Sequence, residues 1–272
     1  MTATRSASQT AGPAAGPTAR RAAGRTARQR ARAELTREIK QEARRQLAAH
    51  GAQGLSLRAV ARELGMVSSA LYRYFPSRDE LLTALIIDAY DALGAAAEAA
   101  SAAQPAADIR GRWRVTCAAV RTWALAHPHE YALIYGSPVP GYQAPEATIT
   151  SATRVALVVG GLLADAWRAG HGRPGPAAAP APRPPAAPTP PPSATATLPP
   201  LRPALRDQAT AVAEVIAPGV PAALIARGLI AWTQLFGMIS FELFGQLVGS
   251  VDPADEFFGF AVEQMADFVG LP

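Results

Sequence analysis

The chain has 272 residues and a net charge of +5, and its single cysteine, Cys117, rules out an intrachain disulfide and suits a reducing cytoplasm. Residues 1–80 hold 15 Arg and Lys against 6 Asp and Glu, whereas residues 81–272 hold 11 against 15. A basic N-terminal third is typical of a phosphate-binding protein, and the acidic remainder argues against nucleic acid wrapping the whole molecule.

Residues 1–33 contain seven arginines, no acidic residue and no leucine, isoleucine, valine or aromatic residue. Such a segment buries too little apolar surface to fold alone, so we expect a disordered basic arm. Either the arm is a solvated tail, or it lies along the minor groove or the backbone of DNA. No apolar stretch follows Arg20-Arg21, which argues against a twin-arginine export signal.

Residues 34–90 are predicted to form a small helical domain. Its first helix carries an inward stripe at four-residue spacing and ends at His50-Gly51; the stripe is Leu35, Ile39, Ala43 and Leu47. Ser56 is placed to cap a second helix over 57–63, and Gly65 suits the left-handed conformation of a tight turn. Ser68 and Ser69 offer caps for a third, short helix that Pro76 closes. Two short helices about a tight turn indicate a helix-turn-helix DNA reader.

A fourth helix is predicted from Ser77, its cap, past Tyr90. Its first turn is acidic, as helix N-termini favour, and its apolar stripe is Leu81, Leu82, Leu85, Ile86, Ala89 and Leu93. Because this helix leaves the small domain and enters the larger one, we expect it to be the mechanical link between them.

Residues 91–272 are predicted to form a helical domain for effector binding and dimerisation. We expect helices near 108–126, 128–136, 145–170, 204–217, 221–248 and 254–269, with no period-two alternation that would indicate a sheet. Residues 172–203 carry thirteen prolines and are interpreted as an extended, disordered loop rather than a proline-recognition motif.

The helix near 221–248 is apolar nearly all round, and the last helix adds several phenylalanines. This surface exceeds what one domain of this size needs, so a homodimer interface is favoured over a monomer core. The uncharged stretch from Gly228 to Phe241 is too short to span a membrane, and we expect no membrane partner.

The run Leu57-Arg58-x-Val60-Ala61-x-x-Leu64-Gly65, followed by Leu71-Tyr72-Arg73-Tyr74-Phe75-Pro76-Ser77-Arg78-Asp79-Glu80-Leu81-Leu82, resembles the tetracycline-repressor (TetR) family of regulators. The resemblance covers about residues 34–90. Family members usually carry serine where this chain has Val67, and we expect the helix cap to move to Ser68.

A second resemblance concerns the larger domain. Trp232-x-x-x-Phe236-Gly237, with Phe241-Glu242 beyond it, is similar to the TetR subgroup whose C-terminal domain (WHG) is named for a Trp-His-Gly pattern. His127-Pro128-x-x-Tyr131 resembles the other marker of that subgroup. Phe236 stands where the pattern has histidine, so a pH-sensitive role at that position is lost.

The candidate DNA-binding residues lie on the second and third helices and the turns beside them; they are Ser56, Arg58, Ser68, Ser69, Ala70, Tyr72, Tyr74 and Arg78. Arg58 is able to bond a guanine edge or a phosphate, and Ala70 to touch a thymine methyl group. Tyr72, Tyr74 and Arg78 are interpreted as phosphate anchors, with core packing as the alternative for the tyrosines.

The candidate effector-binding residues are mostly aromatic; they are Trp123, His127, Tyr131, Trp167, Trp232 and Phe236. Each alone also suits a structural core, but together they favour a cavity for an apolar or aromatic small molecule. His127 and His129 stand two residues apart, a spacing that points histidines to different sides of a helix, so no metal site is expected. No catalytic motif and no cofactor are expected either.

These observations predict an all-α fold with an N-terminal three-helix helix-turn-helix domain and a C-terminal helical bundle. The favoured function is a cytoplasmic, homodimeric repressor that leaves a palindromic operator when it binds a hydrophobic effector. The alternative is a ligand-independent DNA-binding or architectural protein.

Overall fold

A computed structural model of the chain describes residues 17–170 and 200–272, with side chains from residue 26 onward. Within those ranges the regular structure is helical, without strands, and the all-α prediction is confirmed. The helices are α1 (Pro17–His50), α2 (Leu57–Glu63), α3 (Ser68–Leu71), α4 (Arg78–Ala102), α5 (Ile109–Ala126), α6 (Pro128–Tyr135), α7 (Ile149–Ala152), α8 (Arg154–Arg168), α9 (Pro203–Ile216), α10 (Ala222–Leu243) and α11 (Ala254–Val269). Single 3-10 turns at Ala52–Gly54 and Glu146–Thr148 precede α2 and α7.

The small domain packs α1, α2, α3 and the first half of α4 around one apolar core. The stripe predicted on α1 faces inward, with Ile39, Ala43 and Leu47 buried and Leu35 packed against their edge. Leu81, Leu82, Leu85 and Ile86 of α4 close the same core. Burial of this kind is the main stabilisation available to helices as short as α2 and α3.

Helix α1 starts seventeen residues before Glu34, so the prediction of a disordered arm is wrong for residues 17–33. Residues 1–16 lie outside the described part of the chain. The prediction weighed only the lack of apolar surface. Alanine, arginine and glutamine are strong helix formers, and the packed half of α1 supplies the nucleus from which the helix extends at one hydrogen bond per residue.

Three other predicted boundaries needed correction. Helix α3 begins at Ser68 with Val67 as its N-cap residue, so neither Ser68 nor Ser69 caps it through its side chain. The carbonyl of Val67 already accepts from the N–H of Ala70 at 2.9 Å, so α3 starts one residue earlier than expected.

The segment expected as one helix over 145–170 is divided into a 3-10 turn, α7 and α8. The helix expected over 221–248 ends at Leu243, because Gly245 takes a left-handed φ of 79° and turns the chain. Most of the predicted proline-rich loop, residues 172–199, lies outside the described part of the chain. Pro203, which was included in that loop, is instead the first residue of α9.

Helix α4 belongs to both cores. Its first half closes the small domain, while Ala89, Leu93 and Ala97 pack into the larger one. Asp88, between the two sets, accepts from Lys40 Nζ and from Arg44 Nη2 of α1, each at 2.7 Å. Arg44 Nε also donates to Glu130 of α6 at 2.8 Å, so three helices meet in one ionic cluster.

The larger domain is a bundle in which α5 packs against α4, α8, α10 and α11. Trp113 of α5 is fully buried, and its indole N–H donates to the carbonyl of Val262 at 3.0 Å. Arg121 of α5 donates to both carboxylate oxygens of Glu242, at 2.7 and 2.6 Å, and to Asp255. The two C-terminal helices are therefore fixed to α5 by a forked ion pair as well as by apolar packing.

Among the described helices, α10 has the length and hydropathy of a membrane span. The segment from Glu146 to Arg168, which includes α7 and α8, qualifies only if the two parts, bent by 45°, are counted as one span. The uncharged stretch from Gly228 to Phe241 lies within α10, which reaches the length of a span only by including Arg227 and Glu242. Seven residues of α10, including Leu224, Leu235 and Ile239, are buried against neighbouring helices, as in the core helix of a bundle.

Gly160 of α8 allows α9 to approach closely. A Cβ at this position would lie 2.3 Å from the carbonyl oxygen of Ile216, at the end of α9. Gly161, its neighbour, has nothing within 4 Å of its Cβ position. The close helix contact is thus present at Gly160 and absent at Gly161.

Candidate nucleic-acid interface and aromatic core

The turn between α2 and α3 is fixed by local sequence signals. The Ser56 side chain accepts a hydrogen bond from the N–H of Ala59, as predicted for the cap of α2. Gly65 takes a φ of 64°, the left-handed conformation expected from the sequence. Val60 and Leu71 are buried on the inner side of the two helices, so the opposite sides are held towards solvent.

The outer side of α2 and α3 presents one basic, one apolar and several small groups. Arg58 is exposed, and its side chain has no hydrogen bond or ion pair with the described residues. Val67 is 71% exposed at the N-cap of α3, next to half-buried Ser68 and exposed Ser69. Val67, which the sequence marked only as a departure from the usual serine, was not among the predicted contact residues, although its exposed side chain belongs to this surface.

Ala70 and Tyr72 extend this outer side. Ala70 is half-buried in the first turn of α3, and Tyr72, at its end, is 41% exposed. Tyr74 differs from Tyr72, because it is half-buried and the Arg32 guanidinium lies over its ring at 5.2 Å. Arg32 Nη2 is also 3.5 Å from the carbonyl oxygen of Arg73. The contact joins α1 to the end of α3 across more than forty residues of sequence and was not anticipated.

Arg78 points away from that outer side and bonds the chain that leads into α2. Its Nη2 donates to the carbonyl of Ala52 at 2.7 Å, and its Nε to that of Leu55 at 3.2 Å. A guanidinium with two backbone acceptors fixes the position of α2 relative to α4. The geometry therefore favours a scaffolding role for Arg78 over the phosphate anchor expected from the sequence.

The aromatic residues of the larger domain form a connected cluster, which we call the aromatic core. Ring centroids lie 4.5 Å apart for Trp232 and Phe236, 4.2 Å for Phe236 and Tyr135, and 5.3 Å for Tyr135 and Tyr131. Tyr90 of α4 meets Tyr135 edge-on at 6.0 Å. The aromatic core therefore extends from α10 through α6 to α4. Tyr90 was missed, and its only signal is its position beside the apolar stripe of α4.

The tyrosine hydroxyl groups of this core are neutral, and those of Tyr90 and Tyr131 are hydrogen-bonded. Tyr131 is fully buried, and its hydroxyl donates to the carbonyl of Phe236 at 2.9 Å and lies 3.0 Å from Ser240 Oγ. Burial raises the pKa values of Tyr90, Tyr131 and Tyr135, so all three stay protonated at physiological pH.

The other predicted effector residues pack beside the aromatic core. Trp123 is buried and stacks on exposed His127 with centroids 4.9 Å apart, and His127 Nδ1 is 2.9 Å from the Trp123 carbonyl. Trp167, on α8, packs against the apolar core of the larger domain, to which Trp123 also belongs. The structure thus brings Tyr131, Trp232 and Phe236 together and leaves the other three at its edge. Within the described ranges no three His, Cys, Asp or Glu side chains are grouped to hold a metal ion.

Two cavities lie outside the aromatic core. One of about 510 Å³ is formed by α1 and α2 and includes Gln46 and Ala59. The other, about 640 Å³, lies between the end of α1, the α6 region and the turn after α10, with Leu47, His129 and Phe244 among its lining residues. This second cavity is at the junction of the two domains.

A helix-turn-helix held by its own core, joined through one long helix to a separate helical bundle, is the architecture of a one-component regulatory protein. Comparison with known proteins agrees. Residues 113–265 match the family model described as "Tetracyclin repressor-like, C-terminal domain", and residues 39–85 match that of bacterial regulatory proteins of the tetR family. The chain belongs to the tetracycline-repressor family.

Curated relatives include HTH-type transcriptional regulators Mb1846 of Mycobacterium bovis and Rv1816 of Mycobacterium tuberculosis. Each is 55% identical over 113 residues, which is 41% of this chain and 48% of the relative. The chain thus spans about half the length of the curated relatives it matches. Among solved structures, regulatory protein SCO4313 is 30% identical with a TM-score of 0.66, covering 88% of this chain and 98% of that one.

A Rhodococcus sp. RHA1 protein of unknown function is 24% identical with a TM-score of 0.58, covering 85% of this chain and 93% of that one. At that identity the likeness concerns the fold alone.

Proposed function

We propose that the protein is a transcriptional regulator that binds a palindromic operator as a homodimer and is released from it by a hydrophobic small molecule. The observation that carries DNA binding is the outer side of α2 and α3. There, Arg58 is exposed and unpaired among the described residues, and small side chains open α3, while Val60 and Leu71 anchor the two helices from within. This side presents donors and apolar atoms that suit base edges in a major groove.

Within this surface we assign reading and positioning to different residues. Arg58 and the first turn of α3, formed by Ser68, Ser69 and Ala70, contact base edges. Tyr72 contacts phosphate, because its hydroxyl is on an exposed side chain at the far end of α3. Ser56 and Tyr74 contribute less directly, the first as a bonded cap and the second beneath Arg32.

Dimerisation through α10 and α11 is supported by the apolar side chains that these helices leave uncovered. Ile230 is 53% exposed, Phe241 55% and Phe260 64%, although the opposite side of each helix is buried. Large apolar groups at this density on two adjacent helices mark an interface, and a second copy of the chain provides a matching surface.

Effector response is supported by the continuity of the aromatic core. A ligand that separates Trp232 and Phe236 from Tyr135 would move α6, and Tyr135 touches Tyr90 on α4. Trp123, His127 and Trp167 lie at the edge of this region and would line the entry. We also propose that the larger domain belongs to the WHG subgroup, because Tyr131 of one marker bonds the carbonyl of Phe236 of the other.

A second candidate function is ligand-independent DNA binding. The observation that favours it is the tight packing of the aromatic core, where Tyr131 is fully buried with its hydroxyl satisfied and Phe236 is only 6% exposed. A closed core of this kind needs no ligand to be stable.

DNA binding and dimerisation are tested together. The purified protein is footprinted on the promoter of its own gene and examined by sedimentation at micromolar concentration. We expect a two-fold-symmetric footprint with half-site centres separated by about 34–36 Å or a multiple of it. A monomer that binds a single half-site tightly would contradict the proposal.

The two candidate functions are separated by a thermal-shift screen of hydrophobic and aromatic compounds, with operator release measured for every hit. A ligand at a hundredfold excess over its dissociation constant stabilises the folded protein by about 2.7 kcal/mol. It should weaken operator binding by about 1–3 kcal/mol. Hits that stabilise the fold without changing operator affinity would favour the ligand-independent function.

A further inference from the structure

The N-terminal half of α1 is the part of the structure that the proposed helix-turn-helix contacts leave unexplained. Residues 26–34 are all exposed, so this described part of the helix packs on no core. It is nevertheless continuous with the packed half of α1, which carries Ile39 and Ala43. At 1.5 Å per residue, the seventeen residues from Pro17 to Ala33 extend α1 by about 25 Å.

The arginines on this half of α1 are not evenly distributed around the helix. Counting back from Arg32, arginines occupy positions 28, 25 and 21, at intervals of four, three and four residues. With 3.6 residues per turn, positions at these intervals lie within about 60° of one another. We call these four positions the arginine face. Arg30 lies about 160° away from Arg32 by the same count.

Arg32 places the arginine face next to α3. Its guanidinium lies over the ring of Tyr74 at 5.2 Å, and Nη2 is 3.5 Å from the carbonyl of Arg73, one residue earlier. Arg73 itself is exposed, and its side chain has no ion pair with the described residues. Because Arg28 is one turn before Arg32 on the same face, it lies on the same side of the molecule as the end of α3. It too has no charged partner among the described residues.

The absence of acidic residues from this segment matters as much as the arginines. The first acidic residue of the chain is Glu34, which pairs with Arg37 and not with the arginine face. Arg28 and Arg32 therefore place positive charge without an acidic partner beside the end of α3, and positions 21 and 25 continue the same face of the helix in the sequence. A regular row of phosphates is the partner that matches such a surface.

We propose that the N-terminal half of α1 is a second DNA-binding element, in which the arginine face lies along phosphates outside the half-site that α3 reads. The element rests on the proposed function, since it needs α3 to be docked on DNA. Arg32 sets its direction by holding the end of α3. A rod of about 25 Å covers roughly seven base pairs beyond each half-site.

The test compares two neighbouring arginines with the same charge on opposite sides of the helix. Arg28→Gln removes a group from the arginine face, and Arg30→Gln is the matched control. Affinity of the full-length protein is measured by fluorescence anisotropy between 50 and 200 mM salt. Two duplexes are used, one ending at the half-sites and one extended by ten base pairs on each side.

Wild-type protein should bind the extended duplex more tightly and with a steeper salt dependence than the short one. Arg28→Gln should lower the slope on the extended duplex by about 0.9 for each subunit, so by about 1.8 for a dimer. The ratio of wild-type to variant affinity then falls about twelvefold between 50 and 200 mM salt. Arg30→Gln should leave that slope within error of the wild type.

A third variant tests the helix itself. Ala27→Pro keeps every arginine but interrupts α1 before Arg28, so positions 21 and 25 lose their register with Arg32. It should lower helicity by circular dichroism and remove part of the advantage of the extended duplex. Equal slope losses for Arg28→Gln and Arg30→Gln would overturn the proposal in favour of an unstructured polycation.

The outcomes also separate this inference from the proposed function. Normal binding to the short duplex with no gain from the flanks would overturn the second element alone. No sequence-preferring binding to either duplex would overturn the proposed function as well.

Discussion

Substitution of Arg78 distinguishes most clearly between two roles of a residue, stabilising the DNA-binding domain and contacting DNA. Its guanidinium donates to the carbonyls of Ala52 and Leu55 and is 30% exposed at the side chain. Hydrogen bonds that involve a charged group contribute about 1.5–3 kcal/mol each. Partial exposure reduces that contribution, so we expect Arg78→Ala to destabilise the domain by about 2–3 kcal/mol in total.

Thermal unfolding by circular dichroism measures this loss. At about 2–4 °C per kcal/mol for a protein of this size, the midpoint should fall by roughly 5–10 °C. Operator affinity, measured well below that midpoint, should change by no more than a few-fold. Arg78→Lys should recover only part of the stability, because one ammonium group lacks the fork that serves both carbonyls.

Arg58→Ala is the matched control, because Arg58 is exposed and bonds nothing among the described residues. Its unfolding midpoint should stay close to the wild type, since surface changes of this kind lie within about 0.5 kcal/mol. Its operator affinity should fall by about 1–3 kcal/mol, more on the operator than on random DNA if it reads a guanine. An Arg78→Ala variant with an unchanged midpoint and the same affinity loss as Arg58→Ala would refute the scaffolding role.

Further changes test the larger domain by chemical or thermal unfolding. Gly160→Ala should destabilise the folded protein by about 1–3 kcal/mol, because the added Cβ meets α9. Gly161→Ala should stabilise it by about 0.5–1 kcal/mol, because alanine has the higher helix propensity. Changes of the same sign in both variants would contradict the close approach of α8 and α9. Tyr131→Phe should cost about 1 kcal/mol, since it removes the bond to Phe236, and an unchanged midpoint would argue that this bond contributes nothing. Hydrogen bonds from Arg114 and Arg110 lower the pKa of Glu263 to about 2. The carboxylate therefore contributes its full stability above the unfolded pKa near 4.3, and this stability is lost as the pH falls from there to about 2. Glu263→Gln should remove about 1 kcal/mol of the loss of stability in acid, and an unchanged stability profile below about pH 4.3 would contradict these ion pairs.

Features that depend on neighbours in sequence could be predicted. The caps at Ser56 and Ser77, the turn at Gly65 and the apolar stripes of α1 and α4 all follow from spacing within one or two helical turns. They fix which side of α2 and α3 faces the core, and so which residues remain for DNA.

Features that depend on distant partners could not be predicted. Arg32 has several aromatic and carbonyl groups available in the chain, and nothing in the sequence selects Tyr74. The cluster of Arg44 with Asp88 and Glu130 could not be predicted either, because the sequence offers each arginine many possible acidic partners. The length of α1 was missed for another reason. Its N-terminal half is helical because of helix propensity and has no apolar stripe from which a helix could be recognised.

The continuity of α4 has a geometric consequence. Its 25 residues make a rod of about 37 Å, with one end in the core beneath α2 and α3 and the other in the bundle. A tilt of only 5° displaces one end relative to the other by about 3 Å, close to the 3.4 Å rise of one base pair along a strand. In a two-fold-symmetric dimer both rods tilt, so the displacements add. Under the proposed mechanism, a rearrangement in the bundle that tilts α4 by this amount would be enough to set two reading heads out of phase with the DNA helix.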